Sequence, residues 1–180
     1  MNMEEVSAVP ASIVVPADAG TVLQAFGDTV QVKLRGEQTQ GSMTVVLDTT
    51  PPGGGPPPHI HHNEDELFLV LEGQYRFLAN GHWTDVLGAG TVFYSPRGAL
   101  HTFQNVGDTP CRHWVIATPS GFEQFFARCS DVFAQAPPLD MAHILTISAE
   151  HGLEFVPPLA GSPSESAQDT AADPAVVPKF

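Results

Sequence analysis

Four residues in two stretches of the chain have side chains suited to holding a divalent cation. His59, His61 and Glu66 lie in GGGPPPHIHHNEDELFLVLEG, from Gly53 to Gly73, and His101 lies in GTVFYSPRGALHTFQN, from Gly90 to Asn105. Alternate residues of a strand face the same way, so His59 and His61 project from one side. Glu66 opens an apolar run, Leu67 to Leu71, that reads as a buried strand, and His101 sits on a later strand, Leu100 to Asn105. Three imidazoles and one carboxylate form a borderline-to-hard donor set. One divalent ion of iron, manganese, nickel or cobalt suits it, and zinc is compatible. Such a site leaves one or two coordination positions open for water, substrate or dioxygen. Beside a dication Glu66 is held ionised. Off the cation it regains basicity and can take a proton from a substrate hydroxyl, which makes it the catalytic candidate. His62 has the opposite strand parity and is expected to face solvent. His82, His113, His143 and His151 have no partner that spacing identifies and are read as structural.

The elements that must position these groups are mostly strands. Thr21 to Phe26, Val30 to Arg35 and Ser42 to Asp48 are strand-like, and Val30, Val32 and Leu34 alternate with Gln31, Lys33 and Arg35. A short strand is expected at Ser12 to Val15. In PPGGGPPP, Pro51 to Pro58, glycines allow a sharp reversal and prolines stiffen the approach to His59. Asn80-Gly81 marks a hairpin between strands at Gln74 to Leu78 and Trp83 to Leu87. Arg112 to Ala117 reads as the last strand of a closed all-β shell. The period then changes: Phe122, Phe125, Phe126 and Cys129 recur at helical spacing, with Ser120 and Glu123 as a capping box. A second helix is expected from an Asp140 N-cap to a Gly152 C-terminal cap. These helices would cover an open end of the shell and shape the mouth of the site. By parity Phe68 and Val70 share the face of Glu66, and Phe103 that of His101. Phe68, Phe103, Phe122 and Phe126 are therefore the candidate substrate contacts. Leu67, Leu69 and Leu71 face the other way and need cover from a second sheet or a second chain.

Composition narrows the function classes. The 180 residues suit one domain with extensions, and 42% hydrophobic content suffices for a single core. Twenty acidic against seven basic residues give a formal charge of −13, which repels phosphate backbones and anionic lipid. Neither nucleic acid nor membrane is an expected partner. Cys111 and Cys129 form no disulfide framework. The N-terminus lacks a basic, then apolar, leader pattern, and a cytoplasmic location is the expectation. From about Ala160 the chain turns to Ser, Ala, Asp, Pro and Gly, a composition with too little apolar area to offset ordering.

The spacings G-x5-H-x-H-x4-E-x6-G, from Gly53, and G-x5-P-x-G-x2-H-x3-N, from Gly90, resemble the two motifs of the cupin superfamily, with every position filled. The resemblance implies an antiparallel jelly-roll barrel with C-terminal helices. It also implies that His59, His61, Glu66 and His101 are the metal ligands, and that the protein is a homodimer. On this basis residues 1–19 are expected as an arm, 20–118 as the barrel, 119–158 as a helical extension and 159–180 as a flexible acidic tail. PPPHIHHNEDELFLVLEGQYRF, the NVG at Asn105 to Gly107 and TPSGFEQFF at Thr118 to Phe126 are similar to bacterial single-domain cupins grouped with quercetin 2,3-dioxygenases. That narrower resemblance implies a flavonol-like or other enolic aromatic substrate, cleaved with O2 and releasing carbon monoxide, with Glu66 as proton acceptor. Two rival functions stand beside it. One is another metal-dependent reaction on the same barrel, such as an isomerisation; the other is a non-catalytic small-molecule sensor. No DNA-binding helix pair precedes the barrel, which weighs against a transcription factor.

Overall fold

The computed structural model describes residues 11–156. Residues 1–10 of the expected N-terminal arm and all of the acidic tail lie outside the described residues. Among the described residues, eleven strands and two helices follow in order: β1 (Thr21–Ala25), β2 (Asp28–Leu34), β3 (Thr44–Thr50), β4 (His59–His61), β5 (Asp65–Glu72), β6 (Tyr75–Ala79), β7 (His82–Trp83), β8 (Val92–Ser95), β9 (Leu100–Asn105), β10 (Cys111–Thr118), α1 (Phe122–Phe133), α2 (Met141–Glu150) and β11 (Leu153–Phe155). All named pairings are antiparallel. They form a six-stranded sheet, β1-β2-β3-β10-β5-β8, facing a five-stranded sheet, β11-β4-β9-β6-β7.

Alternation along the strands fills the space between the sheets. Val30, Val32, Val46, Phe68, Val70 and Val115 from the larger sheet meet Tyr75, Phe77 and Phe103 from the smaller one. A second core lies beneath the helices, where Phe122, Phe125, Cys129 and Val132 of α1 pack with Ile144 and Ile147 of α2 and Leu153 of β11. The helices thus close one side of the barrel, as their apolar stripes require. The Phe26-Gly27 turn, with φ of 55° and 88°, reaches this cluster, and Phe26 packs against Phe125, Phe133 and Phe155.

Three local expectations are corrected. Ser12 to Val15 forms no strand. The strand expected at Trp83 to Leu87 is reduced to His82–Trp83 and a single bridge from Leu87 to Tyr75. There the Thr84 hydroxyl accepts from the Phe77 N–H at 3.1 Å and takes a ladder position from the backbone. The capping box does not form either, because α1 begins after Gly121 and its N-cap has no side-chain hydrogen bond. Ser120 instead packs against Gly36, where a Cβ would collide with the Ser120 hydroxyl. The Glu123 carboxylate accepts from the N–H groups of Gly36 (2.9 Å) and Gly121 (3.0 Å) and from the Thr44 hydroxyl. It ties the start of α1 to β3 and to the turn after β2. By contrast, Asp140 does cap α2, accepting from the His143 N–H at 2.9 Å, and Gly152 follows that helix with φ of 69°. Strand β11 was not foreseen at all.

Among the described residues no helix is long and apolar enough to cross a membrane. Because Glu123 is buried and satisfies three donors at once, Glu123→Ala should lower unfolding free energy by about 2–4 kcal/mol. Urea titration of the metal-free protein measures this; a loss below about 0.5 kcal/mol would show that α1 is held by its apolar face alone.

Candidate metal centre

Strand β4 is only three residues long, yet it is fixed on every side. Upstream, the loop from Pro51 lies hard against β9: a Cβ at Gly55 would collide with the Phe103 carbonyl. Gly53 donates to Asn105 O at 3.0 Å, and Asn105 N–H donates to Gly54 O at 2.9 Å. The prolines therefore stiffen a loop that is also pinned through its backbone. On one flank His59 pairs with His101 of β9, and on the other Leu153 and Phe155 of β11 pair with His61 and His59. The Gly98 N–H donates to His61 O at 2.7 Å, which holds the turn entering β9.

The strand parity read from the sequence brings His59, His61, Glu66 and His101 together. One ligand atom from each lies within 4.8 Å of the others, and all four residues are buried. Three outer acceptors orient the rings. His59 Nδ1 lies 2.8 Å from Pro57 O, His101 Nδ1 lies 3.1 Å from Ala99 O, and His61 Nδ1 lies 3.4 Å from Glu64 Oε2. A ring that donates through Nδ1 turns a lone pair on Nε2 inward. Glu66 Oε2 sits 2.8 Å from His101 Nε2 and 3.3 Å from His61 Nε2. His61 Nε2 has no hydrogen-bond partner of adequate geometry. This group of inward lone pairs and one carboxylate fits a divalent cation, which would satisfy all four donors at once. The cluster could hold a metal ion; the donor set does not select which.

Electrostatics show how sensitive the arrangement is to charge. Burial, with the neighbouring His101 and His61 charges, pushes His59 down to about 3. Burial works against ionisation of Glu66 too, but the surrounding imidazoles more than offset it and hold the carboxyl at about 2. His61 is also desolvated, yet the Glu66 and Glu64 carboxylates raise it above the ordinary imidazole value. Glu64 escaped the sequence reading. Its position three residues after His61 was the available signal, since an imidazole ligand commonly donates its outer N–H to a carboxylate.

A recess opens beside the cluster. His59, Glu66, Phe68, Phe103, Phe122 and Phe126 line it, so the structure places all four candidate substrate contacts on its walls. Phe122 stands edge-on to His61 at 4.6 Å between centroids. The cavity volume is about 50 Å³, enough for one or two waters and far below the roughly 300–1,000 Å³ of pockets that enclose larger organic ligands. His62 is exposed as expected and pairs with Glu154 at 3.0 Å. His82 and His143 are exposed, and Arg128 approaches His151 to 3.3 Å. His113 is buried in the barrel, its Nδ1 2.8 Å from the Tyr75 hydroxyl. Deeper in the recess Asp28 and Asp48 also line the wall, and the sequence reading missed both. Asp48 shares the inward parity of Val46, a charged residue on an apolar face that could have been noticed.

Protonated imidazole cannot ligate, and His61 is raised, so proton competition begins above its ordinary value of 6.5. Cobalt or zinc affinity should therefore rise with pH through about 6–8, with near one proton released per ion bound. Calorimetry in buffers of different ionisation enthalpy measures this; affinity that is flat over that range would contradict it.

Residues 46–117 match the family model described as the cupin domain. No curated protein matches the chain. Among solved structures, a predicted oxalate decarboxylase from Thermotoga maritima superposes with a TM-score of 0.55 at 23% identity, covering 59% of this chain and 99% of that one. KdgF from Halomonas sp. gives 0.56 at 14% identity, covering 63% and 99%. The polyketide cyclase RemF from Streptomyces resistomycificus gives 0.53 at 22% identity, covering 61% and 81%. Identities this low bear on fold alone. Together with the two facing antiparallel sheets, they show that this chain has the jelly-roll fold of cupins, followed by two helices.

Proposed function

We propose that this protein is a metal-dependent enzyme acting on a small enolic or aromatic molecule, and that its reaction is dioxygen-dependent ring cleavage of the flavonol type. The observation that carries the reading is the convergence of His59, His61, Glu66 and His101 at the head of an aromatic-walled recess. A divalent cation held there would supply Lewis acidity to an enolic oxygen and a site for dioxygen chemistry. Glu66 would accept the proton of the substrate hydroxyl. At about 2 its carboxyl is a weak base, so transfer requires a hydroxyl already acidified by coordination. Phe68 and Phe103 would stack on the flat substrate, and Phe122 and Phe126 would exclude water. In the overall reaction both atoms of O2 enter the products and one ring carbon leaves as carbon monoxide.

The cavity volume places a condition on this reading. A flavonol fits only if Phe122 and Phe126 of α1 swing outward. The same volume favours a second reading, in which a smaller enolic substrate is isomerised or cyclised at the same cation with Glu66 moving the proton. Oxygen uptake with a flavonol panel, after loading with iron, manganese, nickel or cobalt in turn, separates the two. Uptake with carbon monoxide release supports ring cleavage, and Glu66→Gln should then retain part of the metal while turnover falls by about 100-fold or more. Wild-type loaded protein that takes up no oxygen with any flavonol overturns the dioxygenase reading.

We also propose a homodimer formed through the outer face of the six-stranded sheet. One register row, Val22–Gln31–Leu47–Trp114–Leu69–Val92, crosses all six strands, and Val45–Ile116–Leu67–Tyr94 runs beside it. Val22, Leu69, Leu71, Val92 and Tyr94 are exposed on this face. An exposed apolar face running across all six strands is suited to a second copy presenting the same face. The two buried free thiols suit a reducing compartment, and we place the protein in the cytoplasm. Light scattering should give twice the chain mass, and Leu69→Glu should halve it; a wild-type monomer at micromolar concentration would refute the dimer.

A further inference from the structure

The end of the recess remote from the metal cluster carries two carboxyl groups that the proposed reaction leaves unused. Asp48 of β3 stands in register with Val30 on one side and His113 on the other. His113 is in turn in register with Val70 of β5. Val70 lies four residues along β5 from Glu66, so this level of the barrel is ~13 Å along the strand from the carboxylate ligand. Asp28, the first residue of β2, projects inward one pleat from Val30. Both aspartates line the same cavity as His59 and Glu66, with Phe68 and Phe103 between.

Their neighbours satisfy only part of this set: Asp28 lies within hydrogen-bond reach of Thr50, and His113 bonds Tyr75. Asp28 and Asp48 are each 4% exposed, and the Oδ1 of each is buried without a hydrogen-bond partner. His113 Nε2 is buried and unpartnered as well, and at 3.8 Å from Asp48 Oδ2 it is too far to satisfy it. Leaving such groups unpaired in a low-dielectric interior is costly, and it is tolerated where a ligand completes the set. The two carboxyls lie within hydrogen-bond reach of each other. Burial lifts Asp28 to about 7, and burial with the like charge of Asp28 raises Asp48 well above the ordinary carboxylate value. Two adjacent buried carboxyls share a proton. That proton is engaged between the two carboxyls, and the unpartnered Oδ1 atoms are left as acceptors for an incoming donor.

We infer that Asp28 and Asp48 form a second binding pole, which takes a hydroxyl group at the end of the substrate remote from its chelating oxygens. This rests on the chelating, aromatic substrate proposed above. A hydroxyl donates to the Oδ1 atoms without bringing a charge into the buried site. An ammonium group would instead have to be stripped of its water in this buried site, a cost that a neutral hydroxyl avoids. The substrate class is thus a flat molecule with an enolic chelating edge and a hydroxyl at its far end.

The test compares 3-hydroxyflavone with 3,4′-dihydroxyflavone, which share the chelating edge and differ by one distal hydroxyl. Binding to zinc-loaded protein is read from the absorption shift of each probe, with zinc content measured for every sample. Wild-type protein should prefer the dihydroxy probe by about tenfold or more. That ratio should fall below about threefold in Asp48→Val and in Asp28→Val, each of which adds an apolar strand-forming residue to a valine-rich wall. Equal affinities in wild type, or a ratio that survives in both variants, overturn the second pole while leaving the chelation reading intact. If neither probe binds zinc-loaded wild type, the chelating substrate is refuted and the second pole with it.

Discussion

A carboxylate buried to 2% exposure among three imidazoles is the constraint on which the rest of this structure depends. Removing an ion from water is costly, and only close, well-oriented partners repay it. Glu66 obtains them because β5 is hydrogen-bonded on both sides, by β10 and β8, and so cannot shift its register. The imidazoles are positioned just as strictly. Each ring is held by an outer acceptor, and the strands that carry the rings pair with one another across His59 and His101.

The helices belong to the same constraint. Phe122 of α1 lies on the His61 ring, and β11 continues from α2 to pair with β4. Asn63, just after the ligand strand, donates to the His151 carbonyl at 2.8 Å. The segment after the barrel therefore both shields the site and holds its shortest strand. This linkage also explains the low cavity volume: five phenylalanines of α1, β11 and the turn after β1 meet at the recess, and aromatic rings spaced 4.5–5.9 Å apart leave little free space. A substrate of any size must displace some of them, so α1 is the element whose motion would admit it.

The barrel interior is chemically two-ended. Near Glu66 the carboxyl is held ionised by imidazoles; near Asp48, where His113 is pushed down to about 3 by burial, nothing comparable balances a carboxylate. The carboxyl groups of Glu66 and Asp48 thus take opposite protonation preferences roughly four residues apart along the sheet. Surroundings decide this, not residue identity.

The sequence alone named the four donors, since His59 and His61 share a strand parity and the two spaced motifs resemble those of cupins; their meeting at one point depends on how β4, β5 and β9 are arranged. It also determined the alternating barrel strands, the Asn80-Gly81 hairpin, which the positive φ values of both residues confirm, and the Asp140 cap. Tertiary structure alone decided where α1 begins, since Glu123 finds partners in β3 and the Gly36 turn that lie far away in sequence. It alone decided that Leu153–Phe155 is a strand, because three residues have no readable period until β4 offers an edge. The same holds for the pairing of Asp28 with Asp48. Their approach is a diagonal contact between adjacent strands, and register is a property of the folded sheet. What depends on one strand's periodicity is legible in the chain; what depends on which strands become neighbours waits for the fold.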